Sequence, residues 1–151
     1  MREIRAEIEL TAPVERIWEL LTDLRLYPQW NPLFLNAEGK LNAGARLKLK
    51  VKLPGIEQFT IAPTVLAIVP PTELCWLHRI RFPGLFGWEH SFTIEPLGAD
   101  RLRFTQRSIF RGVLAPLFAI GLGAAVRQGC ETLNAAMKRW GEKGSIQCLK
   151  C

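Results

Sequence analysis

Hydrophobic and polar residues alternate along several short stretches of the chain, which is the pattern of β-strands with one buried face. Seven stretches show it: 2–10, 33–38, 46–53, 59–69, 73–82, 87–96 and 101–110. The stretch 33–38 is irregular, and Pro63 inside 59–69 predicts an edge position or a bulge there. Because short turns connect the later stretches, the sequence predicts an antiparallel meander.

A different spacing runs through 113–143, where apolar residues recur every three or four positions, as on one side of an α-helix. Leu114, Leu122 and Leu133 follow this spacing. No charged residue occurs in 112–126, so strands are expected to cover this half of the helix. The uncharged run is shorter than the roughly 20 residues of a membrane span, which favours a buried helix over an interfacial one.

Two short helices are predicted between the first and second strands. Pro13 suits the first turn of a helix, and Glu15 would lie near its positive end. Residues 23–32 contain two prolines and allow at most a short helical turn. The order of strand, two short helices, meander and long C-terminal helix predicts an α+β fold whose sheet curls over the long helix. We expect one domain over 1–143 and a flexible tail at 144–151.

Residues 11–23 (TAPVERIWELLTD) and 27–32 (YPQWNP) resemble the opening of the SRPBCC superfamily, the START-like and polyketide cyclase/dehydrase-like proteins. Residues 87–92 (GWEHSF) and 110–112 (FRG) resemble the same family. The resemblance implies a helix-grip fold, a curled seven-stranded antiparallel sheet around the long helix with a deep apolar cavity between them. Members bind lipids, sterols, polyketides or other hydrophobic molecules, and some are enzymes; the fold alone does not choose among these roles.

The alternation also predicts which side chains point into the fold. On the last three strands the inward set would be Leu74, Trp76, His78, Ile80, Phe82, Trp88, His90, Phe92, Ile94, Leu102, Phe104, Gln106, Ser108 and Phe110. A turn centred on Gly84 would pair His78 with His90, and the next turn would set His90 beside Ser108. Thr64 would then lie near His78. The sequence thus predicts a polar patch inside an aromatic wall.

Several roles are open to this patch. The histidines could be core residues hydrogen-bonded to each other or to water, or they could orient the polar end of a hydrophobic ligand. His78 or His90 could also act as a general acid or base, although no inward carboxylate is evident to orient either ring. A nucleophilic Ser108–His90 pair lacks a nucleophile-elbow glycine pattern and a third member. No catalytic residue is therefore predicted.

The aromatic inward residues would be core or would line a void. The candidate ligand-binding residues combine these with the polar patch and the long helix: Trp30, Thr64, Trp76, His78, Trp88, His90, Phe92, Phe104, Gln106, Ser108, Phe118 and Leu122. Residues outside the predicted strands are better placed for a cavity rim, and these are Trp30, Pro32, Leu85 and Phe86.

The composition is that of an ordinary globular protein, with 48% hydrophobic and 23% charged residues in 151. Because the first ten residues are charged and alternating, they do not resemble a signal peptide, and we expect a cytoplasmic protein. The four cysteines are then expected to be free thiols. Cys148 and Cys151 have the spacing of half a zinc site but lack a second pair, and two histidines are too few, so neither a metal nor a cofactor is predicted.

The net charge is +6, and many of the basic residues take the outward positions of the predicted strands. These positions hold Arg46, Lys48, Lys50, Lys52, Arg79, Arg81, Arg101, Arg103 and Arg107. Such a face is usually only solvated, but it could dock on an anionic membrane or an acidic protein. Nucleic acid is not predicted, because no aromatic residues alternate with these charges. The sequence does not indicate an oligomeric state.

Three functions follow from these features. The first is a carrier or sensor that binds a hydrophobic small molecule, such as a lipid or polyketide, between the sheet and the long helix. The second is a cyclase/dehydratase-type enzyme that uses a cavity histidine as acid or base. The third is an interaction protein that docks on a membrane or partner through the uncharged helix segment and the basic sheet face.

Overall fold

Strands and helices follow one another in the predicted order, and the α+β helix-grip fold is confirmed. The structure, a computed structural model, describes residues 2–82 and 84–143. Its strands are β1 Arg2–Thr11, β2 Phe34–Glu38, β3 Lys48–Val51, β4 Phe59–Ile61, β5 Thr64–Val69, β6 Glu73–Arg79, β7 Gly87–Gly98 and β8 Arg101–Arg111. Its helices are α1 Val14–Thr22, a 3₁₀ turn Leu24–Leu26, α2 Tyr27–Trp30 and α3 Ala115–Glu142. The predicted tail, with Cys148 and Cys151, lies outside the described residues.

Two antiparallel sheets contain the eight strand segments of this described part. The larger sheet has the order β1-β8-β7-β6-β5, and the smaller has the order β2-β3-β4. The sequence predicted seven strands rather than eight, because it treated 59–69 as one strand, whereas the structure interrupts this stretch before Thr64. Pro63 has no N–H to donate to a ladder, yet its carbonyl accepts a 2.8 Å hydrogen bond from the Leu47 N–H. The chain therefore passes from one sheet to the other at this proline, and the two sheets form one curled wall.

The long helix α3 packs along β1 and β8 over its second half. Buried residues recur on one side of it from Val126 onward: Val126, Gly129, Cys130, Leu133, Asn134, Ala136, Met137 and Gly141. At its C-terminal end the Gly141 carbonyl accepts a 3.0 Å hydrogen bond from Arg16 of α1. This half of the helix closes the core between the sheet and α1.

The first half of α3 is not covered as predicted. Leu117 is 64% exposed and Ile120 is 85% exposed, although both belong to the uncharged segment. Phe82 is also 64% exposed, which makes its predicted inward position wrong. Strand β6 ends at Arg79, before Phe82, so the inward alternation stops there. None of the helices in the described part of the chain combines the length and the apolar character of a membrane span.

The junction between β8 and α3 depends on Gly112. Its φ is +96°, and an added Cβ would lie 2.6 Å from the Leu85 carbonyl oxygen. We expect Gly112→Ala to lower the free energy of unfolding by roughly 2 kcal/mol or more, because it combines an unfavourable φ with a backbone clash. Gly121→Ala is the matched control: its Cβ would meet nothing within 4 Å, so it should stabilise the helix by up to about 1 kcal/mol.

Urea unfolding followed by circular dichroism measures both changes. Equal free energies of unfolding for Gly112→Ala and the unmodified protein would show that this junction is less constrained than its geometry indicates.

Candidate ligand cavity

A buried polar network lies where β7 and β8 meet α3. His90 pairs with Ser108 across the two strands, as predicted, and the ring Nδ1 lies 2.6 Å from the Ser108 Oγ. The other ring nitrogen, Nε2, lies 2.9 Å from the Gln106 Oε1. Trp88 donates from Nε1 to the same Ser108 Oγ over 3.0 Å. Both nitrogens of His90 therefore have partners inside the protein.

The directions of these hydrogen bonds follow from Gln106. Its Nε2 donates to the Cys130 carbonyl over 2.8 Å and to the Asn134 Oδ1 over 2.7 Å. The Gln106 Oε1 is then an acceptor, so the His90 Nε2 carries the proton, and the His90 Nδ1 accepts from the Ser108 hydroxyl. The network is complete with a neutral imidazole.

Burial keeps His90 neutral. It lowers the pKa of His90 to about 4, because removal from solvent disfavours the charged imidazolium more than the hydrogen bond with Gln106 favours it. Aromatic rings surround the imidazole: Trp76 stacks on it at a centroid distance of 6.2 Å, and the rings of Phe34 and Phe92 meet it edge-on. This is the geometry of a core histidine that fixes the contact between sheet and helix.

An apolar cavity of about 190 Å³ lies farther along the fold, between the exposed half of α3 and the strand ends. Its strand wall consists of the strand residues Phe59, Ile61, Trp88 and Phe110, together with Ile80 and Phe86 from the turn between β6 and β7. Its helix wall consists of Phe118, Leu122 and Val126. Thr60 and His78 are the polar residues of the lining. Such a site, apolar with few polar groups, is the usual form of a small-molecule pocket.

Two phenyl rings hold the helix wall against the strand wall. Phe86 and Phe118 stack with centroids 3.9 Å apart and planes 23° apart. The position of Phe86 is set by the backbone, since the Leu114 N–H donates to the carbonyl of the preceding residue, Leu85, over 3.0 Å. The stack joins the turn between β6 and β7 to the first turns of α3.

His78 is the histidine of this cavity. Its Nδ1 accepts a long hydrogen bond, 3.4 Å, from the Ala62 N–H. Partial burial, together with the positive charge of Arg46, lowers the pKa of His78 below its usual value. The ring is therefore neutral at pH 7, and with Nδ1 as acceptor it carries its proton on Nε2. Within residues 2–82 and 84–143, no protein group pairs with this Nε2–H.

The structure brings four of the predicted ligand-binding residues to the cavity: His78, Trp88, Phe118 and Leu122. It places the others away from it: Trp30, Thr64, Trp76, His90, Phe92, Phe104, Gln106 and Ser108. Phe86, a predicted rim residue, lines the cavity as well. The predicted polar patch is thus divided, with His90 in the network and His78 at the cavity.

Register explains this division. The predicted pairing of His78 with His90 is wrong: His78 pairs with Trp88, and Trp76 pairs with His90, a shift of two residues. Trp88 therefore lies between the two histidines. The predicted neighbour of His78 is also wrong, because Thr64 pairs with Leu77 and belongs to the opposite face of the sheet.

Two of the predicted ligand-binding residues that lie away from the cavity, Thr64 and Trp30, have other surroundings. Thr64 lines a depression of about 320 Å³ on the outer face together with Arg46 and Arg79. Half of its lining is polar or charged, which makes this depression a weaker candidate for an apolar ligand than the cavity beside α3. Trp30 is buried against Tyr27 rather than at a rim, and its Nε1 has no hydrogen-bond partner among the described residues.

The sequence-based interpretation missed important residues. Phe34 and Asn134 complete the polar network and its aromatic surroundings. The sequence could have indicated Asn134, since it is a polar residue on the otherwise apolar side of the predicted long helix. Val126, Phe59 and Ile61 line the cavity without any signal that separates them from ordinary core residues.

Metal chemistry has no visible basis in the described part of the chain, where no three His, Cys, Asp or Glu side chains are grouped to hold an ion. Cys75 and Cys130 are buried free thiols, as expected. Burial raises the pKa of each to about 12, so neither is a ready nucleophile at neutral pH.

Comparison with known proteins gives one family match. The model of the family described as polyketide cyclase/dehydrase and lipid transport matches residues 1–138. A search of curated protein sequences found no match.

Several solved structures share the fold at low sequence identity. A START superfamily protein from Mycobacterium smegmatis is 21% identical, with a TM-score of 0.72 and coverage of 93% of this chain and 97% of that one. The Zhui aromatase/cyclase from Streptomyces sp. R1128 is 19% identical, with a TM-score of 0.74 and 94% coverage of both chains. The di-domain ARO/CYC BexL from the BE-7585A biosynthetic pathway is 18% identical, with a TM-score of 0.73; the match covers 92% of this chain and only 46% of BexL. These likenesses show the fold.

Proposed function

The chain belongs to the polyketide cyclase/dehydrase and lipid transport family, and from this premise we propose that it binds an apolar small molecule in the cavity beside α3. Members of the family bind lipids or polyketides or act as cyclases. The observation that carries the proposal is the cavity of about 190 Å³, whose lining is apolar except at Thr60 and His78. Burial of apolar surface, at roughly 25 cal/mol per Å², would supply most of the affinity.

The cavity volume limits the part of the ligand that is enclosed. An apolar cavity of about 150 Å³ in another protein holds one benzene molecule. A cavity of about 190 Å³ is therefore suited to one aromatic ring or a short stretch of acyl chain. A larger lipid or polyketide would keep the rest of its length outside.

His78 would orient the enclosed group. As a neutral ring with its proton on Nε2, it offers a hydrogen-bond donor to a carbonyl or hydroxyl oxygen. Donation to a ligand leaves its existing bond with the Ala62 N–H intact. The proposed ligand is thus apolar with one oxygen acceptor near the enclosed end.

Acid–base catalysis has less support. His90 has both ring nitrogens bonded and does not reach the cavity. For His78 to accept a proton at Nε2, its existing proton would have to move to Nδ1, and the bond from the Ala62 N–H would be lost. Among the described residues that line the cavity, there is no carboxylate to assist this proton transfer. The geometry therefore supports binding more than turnover.

Native mass spectrometry of the protein purified from cells tests the proposal. We expect the native mass to exceed the denatured mass of the same sample by that of a small apolar molecule. The denatured sample is the internal control, because it releases any non-covalent guest. Identical native and denatured masses, both as purified and after incubation with a total lipid extract, would contradict the proposal.

A further inference from the structure

Exposed apolar side chains form a ridge at one end of the molecule. The apolar ridge consists of Phe82, Val113, Leu117 and Ile120, which are 64%, 76%, 64% and 85% exposed. Val113, Leu117 and Ile120 belong to the segment 112–126, which contains no charged residue. Phe82 belongs to the turn after β6. A contiguous exposed apolar patch on a folded domain marks an interaction surface more often than scattered apolar residues do.

Backbone hydrogen bonds hold the parts of the ridge together. The Leu85 N–H donates to the Phe82 carbonyl over 3.2 Å and closes the turn after β6. The Val113 N–H then donates to the Gly84 carbonyl over 3.1 Å. The turn and the start of α3 are thus one unit, so the four side chains are presented together.

Basic side chains beside the ridge lack acidic partners. Arg79 and Arg81 lie just before Phe82 in the chain, and both are exposed. In the described part of the chain neither forms an ion pair. The arginines of β8 differ, since each pairs with a glutamate of a neighbouring strand: Arg101 with Glu9 at 2.7 Å, Arg103 with Glu95 at 2.8 Å, Arg107 with Glu3 at 2.5 Å and Arg111 with Glu89 at 3.1 Å. The unpaired positive charge of the basic face is therefore found beside the ridge as well as on β3.

We propose that this end of the protein docks on an anionic lipid bilayer, with the apolar ridge in the interfacial region and Arg79 and Arg81 at the level of the lipid phosphates. Apolar side chains flanked by cationic ones are the combination that binds peripheral helices to anionic membranes. A stable protein interface needs roughly 800 Å² on each partner, more than four partly exposed side chains offer. A bilayer imposes no such requirement of area or shape.

Docking would also bring the cavity to the lipid. Phe118, which lines the cavity, directly follows Leu117 of the ridge, and Phe86 lies just beyond the turn. An apolar molecule could then pass between bilayer and cavity with little exposure to water. The docking itself does not depend on the cavity having a guest, so its test is independent of the proposed function.

Cosedimentation with lipid vesicles tests the proposal. We expect the protein to sediment with phosphatidylcholine vesicles that contain phosphatidylglycerol, and less so without phosphatidylglycerol or at high salt. The double variant Leu117→Ser/Ile120→Ser and the double variant Arg79→Gln/Arg81→Gln should each lower the partition coefficient roughly tenfold or more. All four positions are exposed, and thermal unfolding of each variant verifies that the fold is retained.

Matched controls come from elsewhere on the surface. Lys48→Gln/Lys50→Gln removes two exposed charges from β3, and Leu66→Ser removes an exposed apolar side chain from β5. Both should leave the partition coefficient unchanged. The proposal is overturned if the protein does not sediment with either vesicle, or if the controls reduce sedimentation as much as the ridge variants do. It is also overturned if sedimentation velocity shows a dimer that Leu117→Ser/Ile120→Ser abolishes while vesicle binding is absent, since the ridge would then join two copies of the chain.

Discussion

The free energy of unfolding should fall by about 3 kcal/mol between pH 6.5 and pH 4 because of His90 alone. In the unfolded chain the pKa of a histidine is near 6.5, whereas burial lowers the pKa of His90 to about 4 in the fold. Between these values the unfolded state binds a proton that the folded state excludes. The contribution of His90 is thus complete above pH 6.5 and is lost as the pH falls towards 4.

The hydrogen bonds of His90 explain why the proton is excluded. Protonation of Nδ1 would require it to donate to the Ser108 Oγ, which already accepts from the Trp88 Nε1. The Ser108 hydroxyl would lose its present acceptor, and the charge would lie among the rings of Phe34, Trp76 and Phe92. Burying a charge among apolar rings is costly, so the fold favours the neutral ring.

Urea unfolding at a series of pH values measures this effect. His90→Gln removes the titrating group, so its free energy of unfolding should vary less with pH between 6.5 and 4 than that of the unmodified protein. His78→Gln is the control, because it removes the other histidine and leaves the buried network in place. Parallel pH profiles for the unmodified protein and His90→Gln would show that His90 is not held neutral by the fold.

Strand patterns predicted much of the buried polar network but only part of the cavity lining. On β7 and β8 the alternation correctly gave His90, Phe92, Gln106 and Ser108 as inward residues, and the register between these strands was also correct. The register between β6 and β7 was wrong by two residues. An alternating pattern repeats every two residues, so registers that differ by two place the same side chains inside and the sequence cannot separate them.

Other features depend on contacts between distant parts of the chain. The sequence did not show whether the space beside His90 is filled by core side chains or left as a void. In the structure Phe34, from an irregular strand, fills it. Asn134 meets Gln106 across 28 positions of sequence. Periodicity gives the face on which a residue lies, but it does not give the partner that it meets or the volume left between them.

The first half of α3 shows the same limit. Its apolar residues predicted a covered helix, yet Leu117 and Ile120 are exposed, near the turn between the end of β6 at Arg79 and the start of β7 at Gly87. An uncharged helical segment indicates that apolar surface has to be covered. It does not indicate whether the cover comes from the same chain, from a ligand or from another surface.

Leu122→Trp should lower the affinity for an apolar ring compound such as indole by roughly 10- to 100-fold. Leu122 lies on the helix wall and is half-buried, so a larger ring at this position can turn into the cavity and occupy the space of the guest. Enclosing one such ring contributes about 1.5–3 kcal/mol, which gives the expected loss. Leu66→Trp places the same ring on the outer face of β5 and should leave the affinity unchanged.

The most direct test of the account is an NMR titration of the unmodified protein with indole, followed through its backbone amide signals. If indole binds in the cavity, we expect saturable changes in amide chemical shift around Phe86, Trp88, Phe118, Leu122 and Val126. The amide signals of Gln106 and Asn134 should change little. Linear shifts without saturation, or saturable shifts that centre on the outer face at Thr64 and Arg79, would contradict a ligand cavity beside α3.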